Sequence, residues 1–404
     1  MRIAMVGTSN PKNSILGGRG VHEKLLEYAL SALGHRVERF HPGPLSDWSK
    51  LLTAFFFALR HPKISFSRTI PEFKHKALIE YYFTRFFGSL DLSDFDIVHA
   101  HDVIAAGTVR TERLVLTIHG YYAAEVLSLY NFESEKDKKR MLNYLVEVER
   151  RGVEKAKHII AIDFGRRNYL IKVFNYPEDR ITVLPNAVDT HRFRPVTELT
   201  KLEIREQLGL PRDKIIVLVP KRYAKEAGVH YAARAIQKLN NPDFFFVFAG
   251  RGPLKRMLED ILRDKKNVLI TDGVPHEEVH LYYQASDIVL LPSITTEEGV
   301  EEGSPLSMLE GMACGKIVVC TDLSGFKEVI EDGKNGFIIE QRSEEAIVQK
   351  LLYIRERFEE LEEVRKGARE QVLRNHNYIE YAKKVVELYR KVIENNPHRS
   401  AKKS

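Results

Sequence analysis

Short apolar runs, each closed by a polar or glycine turn, recur along the whole chain. In the first half they are Ile3–Val6, "RVERF" (36–40), "DIVHAHD" (96–102), "LVLTIHG" (114–120), "HIIAID" (158–163) and "RITVLPN" (180–186). Between most of them the apolar positions change to a helical period. In "GGRGVHEKLLEYALSALGHRV" the residues Val21, Leu25, Ala29 and Leu33 fall near one helix face, and Gly34 ends it. Strands alternating with helices predict a mostly parallel sheet.

The pattern starts again after "PNAVDTHRFRPVTE". Here the runs are "KIIVLVPKR" (214–222), "DFFFVFAGRG" (243–252), "NVLITDG" (267–273), "DIVLLPS" (287–293), "KIVVCTD" (316–322) and "GFIIE" (336–340). A chain of 404 residues is too long for one ordinary core. The expectation is an α/β protein of two Rossmann-like domains facing across a cleft. The first covers 1–195 and the second 196–377, with a C-terminal helix (378–398) returning to the first. Polar and charged residues accumulate over 195–212, which places the join there, and the tail "NNPHRSAKKS" is expected to fray. Ligands of open parallel sheets collect beyond the carboxyl ends of the strands, so two facing edges would suit a donor and an acceptor.

Composition narrows this little. Hydrophobic residues make up 44% and charged residues 29%, an ordinary globular balance. The net charge of +6 suits an anionic ligand or an acidic membrane surface. It is too dispersed to argue for nucleic acid, and no nucleic-acid motif is present. The only cysteines, Cys314 and Cys320, lack metal spacing and have apolar neighbours, as in an intracellular protein. "MRIAMVGTSN" runs straight into a turn and does not read as a signal peptide, and no stretch has the length of a membrane span. The expected location is cytoplasmic, with a peripheral place on the inner face of a membrane left open.

The most informative stretch is "EEGSPLSMLEGMACGKIVV" (301–319). Gly303, Ser304 and Pro305 form a turn leading into a helix near Leu306. A helix N-terminus offers unpaired N–H groups to a phosphate. Glu310, one turn inside, suits two adjacent ribose hydroxyls, and Glu302 stands before the turn. The plainer alternative makes Glu302 part of a solvated acid run (297–302) and Glu310 an exposed helix residue; Met308, Leu309 and Met312 around it weigh against that.

Other motifs gain meaning from their places at strand ends. Gly17, Gly18 and Gly20 would let backbone approach a pyrophosphate. Lys221, Arg222 and Lys225 follow a strand and could supply cations to a departing diphosphate, or be a solvated basic loop. His119 and the pair His101–Asp102 end two others; a strand-end histidine is more often a hydrogen-bonder than a catalyst. "HAHD" lacks further ligands at credible spacing, so no metal site is expected, and "DFD" (94–96) reads as surface.

Taken in order, these residues resemble the retaining glycosyltransferase family 4 (group 1) of GT-B fold over nearly the whole chain. "GGRGVHEKLLEYALSALGHRV" is similar to the family's opening glycine loop and helix, "PNAVDTHRFRP" to its hinge segment and "AGRGP", with Gly252, to its A-G-x-G-P turn. "EGSPLSMLEGMACGKIVV" resembles its E-x7-E block, and "DLSGFKEVIEDGKNGFII" continues the likeness. The resemblance implies a nucleotide-diphospho-sugar held mainly by the second domain, with no cofactor and no metal. By it, Glu310 holds ribose hydroxyls, Glu302 faces the donor sugar, and Gly303, Ser304, Pro305, Leu306 and Ser307 meet sugar and phosphate, although Pro305 has no N–H to donate. Gly18 would close on the diphosphate, His119 would stand beside the reacting sugar, and Arg222 matches the arginine of a cationic pair. The partner lysine departs from the pattern: Glu226, Ala227 and Gly228 stand where Lys-Gly is usual, which leaves Lys225 or Lys221 for that role.

The acceptor would then fall to the first domain. Residues 47–87 hold the only Trp, Trp48, many Phe and Tyr, and seven basic residues (50, 60, 63, 68, 74, 76, 85) against three acids (47, 72, 80). Such helices can lie on an anionic membrane or be core with snorkelling cations. A lipid-linked acceptor and a soluble sugar acceptor are both open. So are two other functions, a sugar-nucleotide epimerase of the same architecture and a non-catalytic nucleotide-sugar binder. Base, sugar, linkage and oligomeric state are not legible.

Overall fold

A computed structural model describes residues 1–8, 17–43, 47–60, 71–128, 130, 132, 134–297 and 299–395. Several expectations lie outside it: Lys63 and Arg68 of the basic stretch, Glu298 of the acid run, and the tail beyond Asn395. The side chains of Asp47, Trp48, Lys50, Arg60, Glu72, Lys74 and Lys76 also lie outside it. The chain forms two compact units. One gathers the described residues of Met1–Lys12, Leu26–Leu184 and Ala382–Ser404, the other those of Asn13–Leu25 and Pro185–Tyr381.

The first unit holds six parallel strands: β1 (Arg2–Val6), β2 (Arg36–Phe40), β3 (Ile97–Ala100), β4 (Leu114–Ile118), β5 (His158–Ala161) and β6 (Ile181–Val183). Their order is β2-β1-β3-β4-β5-β6. Ile3 stands opposite both Val37 and Ile97, which fixes the register about β1. Every residue of β3 and β4 is buried. That is why these strands read as unbroken apolar runs rather than as alternations: parallel sheets are covered on both faces. One core packs Val98, Leu114, Leu116 and Ile159 with Leu170 and Phe174. The long helix Glu135–Lys155, capped by Ser134, crosses the short helix Val103–Thr108. Gly152 permits that crossing, since a Cβ there would stand 2.4 Å from the Val103 carbonyl oxygen. From the last helix, Tyr378–Glu394, Tyr389 brings its hydroxyl within 2.6 Å of His99 Nδ1, while His99 Nε2 lies 2.7 Å from Thr117 Oγ1.

The second unit holds β7 (Ile215–Val219), β8 (Phe244–Phe248), β9 (Val268–Ile270), β10 (Ile288–Leu291), β11 (Ile317–Thr321) and β12 (Phe337–Ile339), all parallel. Their order is β12-β11-β10-β7-β8-β9. The stretch 195–212, which reads as a linker, carries the helix Glu198–Gln207. Two of its cations are not solvated: Arg205 is buried, 2.6 Å from Asp287 at the start of β10, and Lys201 reaches the same carboxylate at 2.6 Å. Burial alone would raise the Asp287 pKa, but the two cations outweigh it and hold it below the usual range. By contacts the main segment of the second unit begins at Pro185, ten residues before the expected join, and runs to Tyr381.

In each sheet the strand order reverses once. The reversals fall between β1 and β3, and between β7 and β10. Such switch points leave a crevice outside the carboxyl ends of the two strands. Beyond β7 come Lys221 and Arg222; beyond β10 come Pro292 and Ser293.

Candidate functional site

In the second unit the loops after β7 and β10 touch. Ile294 N–H donates to the Glu226 carbonyl at 2.9 Å. Gly228 has φ +64, and a Cβ there would meet the Pro292 carbonyl oxygen at 1.7 Å, so both backbone conformation and space require glycine. Next to this contact Lys221, buried, donates through Nζ to the Glu302 carboxylate. Ser293 Oγ donates to the same oxygen at 2.6 Å. Burial disfavours a charge on Glu302, but Lys221 and the Ser293 hydroxyl outweigh it, and the carboxyl is held below its ordinary pKa.

The loop from Glu301 to Pro305 is pinned from three sides. Ser324 Oγ donates to Glu301 at 2.7 Å, and Asn186 Nδ2 donates to the Ser304 carbonyl at 2.6 Å. Gly325 packs so closely that a Cβ would meet the Gly303 oxygen at 2.0 Å. The chain then enters the helix Leu306–Ala313, whose cap Pro305 gives no side-chain hydrogen bond. Ser304 is 3% exposed, and its Oγ has no hydrogen-bond partner among the described residues. Leu306 and Ser307 begin the helix, where N–H groups have no partner within it.

Glu310 follows one turn later. It is buried, not an exposed helix residue, and Tyr283 hydrogen-bonds its side chain. Burial raises its pKa to about 7, against the Tyr283 bond and the positive charges of Arg192 and Lys221. A carboxyl so placed takes up or gives a proton near neutrality and accepts hydrogen bonds well once ionised.

The remaining cations behave differently. Arg222 is exposed and 2.6 Å from Glu226. Lys225 is exposed and makes no ion pair among the described residues. Lys221 is committed to Glu302, so of the two lysines that could partner Arg222, Lys225 is the accessible one. Gly250 and Gly252 of "AGRGP" have a packing role: Cβ atoms there would stand 1.9 Å from the Lys221 oxygen and 2.6 Å from the Tyr223 oxygen. Gly17 and Gly18, at the start of the helix Gly18–Ala32, are exposed with open space where a Cβ would lie.

In the first unit His119 ends β4 half-buried, its Nε2 3.3 Å from Nδ1 of the buried His101. Asp102 is occupied with backbone: one oxygen accepts from Ala105 N–H at 2.8 Å, capping the helix that follows, and the other from Thr8 N–H at 2.6 Å. That commits Asp102 to tying the ends of β1 and β3 together. Asp94 of "DFD" is exposed, 3.6 Å from Arg2.

Three functional candidates lie outside the residues singled out in the sequence. Tyr283 lies on the separate helix Val279–Ala285, Asn186 lies 118 residues from Ser304, and Glu149 lies mid-helix with its carboxylate beside the chain after His119. Only Asn186 could have been marked beforehand, as the polar residue of the hinge segment.

Two family models match the chain in succession: Glycosyltransferase Family 4 over residues 16–192 and Glycosyl transferases group 1 over residues 200–371. An uncharacterized glycosyltransferase of Methanocaldococcus jannaschii is 24% identical over 98% of this chain and 99% of its own. The Escherichia coli UDP-Gal:alpha-D-GlcNAc-diphosphoundecaprenol alpha-1,3-galactosyltransferase is 26% identical over 86% of both chains. Among solved structures, Anabaena HepE in complex with UDP-glucose superposes with a TM-score of 0.69 at 17% identity, over 97% of this chain and 100% of that one.

Proposed function

The chain belongs to glycosyltransferase family 4, the group 1 glycosyl transferases, and on that premise we propose that it moves a hexose from a nucleotide-diphospho-sugar to an acceptor hydroxyl with retention at the anomeric carbon. One observation carries the donor assignment. Outside the switch point between β7 and β10, a helix N-terminus, an unpartnered buried hydroxyl on Ser304, and the carboxylates of Glu302 and Glu310 stand within one loop and its helix. In this reading Glu310 accepts from the ribose hydroxyls, the Leu306 and Ser307 N–H groups meet the diphosphate, and Glu302, aimed by Lys221 and Ser293, faces the sugar.

The chemical problem is the negative charge that grows on the departing nucleoside diphosphate. Fixed donors and cations aimed at that charge stabilise the transition state more than the ground state. Arg222, Lys225 and the helix start are the groups we assign to it, with no metal. His119 is assigned to the sugar being transferred. Because the galactosyltransferase relative is named for an acceptor linked to diphosphoundecaprenol, a lipid-linked acceptor is the form we favour. Phe55, Phe56 and Leu59 support it: all three are exposed on the helix Asp47–Arg60, with the Arg85 guanidinium 4.9 Å above the Phe56 ring. Exposed aromatics beside basic groups suit an anionic bilayer surface. Among the described residues no helix is long and apolar enough to cross a membrane.

Incubation with UDP-glucose, UDP-galactose, ADP-glucose and GDP-mannose, each with and without undecaprenyl-linked and free sugar acceptors, tests the reading. Transfer gives free nucleoside diphosphate and a glycoside whose anomeric configuration is that of the donor. A new sugar nucleotide without acceptor would mean epimerisation, binding without product would mean a non-catalytic role, and an inverted glycoside would overturn retention.

A further inference from the structure

Helix Tyr122–Leu127 begins directly after the β4 end that carries His119 and Gly120. Its cap residue, Tyr121, gives no side-chain hydrogen bond. A short helix started in this way leaves N–H groups to be satisfied from elsewhere. They are satisfied by Glu149, from the middle of the helix Glu135–Lys155. Its Oε2 accepts from Ala123 N–H at 3.3 Å and from the Tyr169 hydroxyl at 2.8 Å. The Tyr122 N–H also favours its charge. Glu149 is 0% exposed; burial raises its pKa to about 7 against these hydrogen bonds, and its Oε1 has no hydrogen-bond partner among the described residues.

The bracing continues around the same turn. The Tyr121 ring meets Tyr169 edge-on with centroids 5.0 Å apart, and the Arg166 guanidinium lies 4.4 Å from the centre of Tyr121. Arg166 is held in turn by Asp163 at 2.7 Å. On the other side the Tyr122 hydroxyl donates to the buried Glu80. The backbone from His119 to Ala123 is thus held by groups from three other helices, and Glu149 is the one that grips its peptide groups.

We propose that Glu149 is a positioning residue for the transfer: by capping the helix that follows His119 it sets where the His119 imidazole stands. The proposal rests on the assignment of His119 to the transferred sugar. Glu149 touches no substrate and acts through the turn His119–Tyr122, with Tyr169 orienting its carboxylate.

The test is a double-mutant cycle. Turnover is measured with the fastest of UDP-glucose, UDP-galactose, ADP-glucose and GDP-mannose, as nucleoside diphosphate released. Glu149→Ala is expected to lower kcat about tenfold or more with little change in donor KM, as for a loss of positioning. Glu149→Gln, which keeps an acceptor for the N–H groups, is expected to restore most of it. In a His119→Ala background Glu149→Ala should cost nothing further. An equal loss in both backgrounds, or no loss in wild type, overturns the proposal. Should Glu149→Ala fail to fold, Tyr169→Phe takes its place, with a smaller fall in kcat and the same dependence on His119. If His119→Ala itself turns over normally, the assignment of His119 fails and this inference with it; if His119→Ala is slow and the cycle is additive, only the inference fails.

Discussion

Lys221 and Glu302 form an ion pair across the switch point of the second sheet, with Lys221 buried and Glu302 partly open. The pair joins the loop after β7 to the loop after β10. Removing one partner of a buried pair leaves an uncompensated charge and typically costs about 3–5 kcal/mol. Lys221→Met is therefore expected to destabilise the fold by about 2 kcal/mol or more, the partial exposure of Glu302 moderating the full value. Lys225→Ala, at an exposed position without an ion pair, should stay within about 0.5 kcal/mol of wild type. Urea unfolding of the two variants checks this, and equal losses would show that the pair contributes no special stability.

Arg222 is open to solvent and, among the described residues, its side chain is tied only to the neighbouring Glu226 at 2.6 Å. It is free to reach a diphosphate at the price of a weak surface contact. If it stabilises the leaving group, Arg222→Ala should lower kcat by about 10²–10³, the scale seen on removing one such donor, with thermal stability unchanged. A rate within a few fold of wild type would remove Arg222 from the mechanism.

Much of this arrangement could be read beforehand, for a physical reason. Parallel strands are buried on both faces, so "IVLL" and "IVVCT" appear as plain apolar runs, and the alternation with helices follows. Glu302 and Glu310 share one loop and helix, so their spacing survives in the sequence. What was hidden depends on tertiary placement. Lys221 finds Glu302 across 81 residues, and Asp287 turns an apparent linker into a packed helix by binding Arg205. Glu149 sits among acids and arginines on an amphipathic helix, where nothing in the pattern separates it from solvated neighbours.

Glu310 makes the protein sensitive to pH. Its carboxyl rises from an ordinary 4.5 to about 7 in the folded state. The folded protein therefore holds this proton longer than the unfolded chain does. The stability this group contributes is fully present below about pH 4.5 and is lost as pH rises through 7, by about 3 kcal/mol at most. Glu149, also raised to about 7 by burial, adds a loss of the same sign. Glu310→Gln should flatten the decline between pH 5 and pH 7, as followed by chemical unfolding, and an unchanged slope would exclude Glu310 as its source.

The patch of Phe55, Phe56 and Leu59 is the apolar surface expected to meet a bilayer. Changing all three to Ser should abolish sedimentation with phosphatidylglycerol vesicles while leaving the nucleoside diphosphate affinity unaltered. Wild type that never sediments with such vesicles would refute the membrane-facing role.

The central claim is that the buried Glu310 grips the ribose of the activated sugar. Calorimetric titration of wild type and Glu310→Ala with UDP, GDP and ADP at pH 8 tests it most directly. The account predicts that one of these nucleotides binds wild type and that the variant binds it about 10-fold to 100-fold more weakly, the loss of about 1.5–3 kcal/mol expected for hydrogen bonds to a charged group. Equal affinity in the two proteins would contradict it.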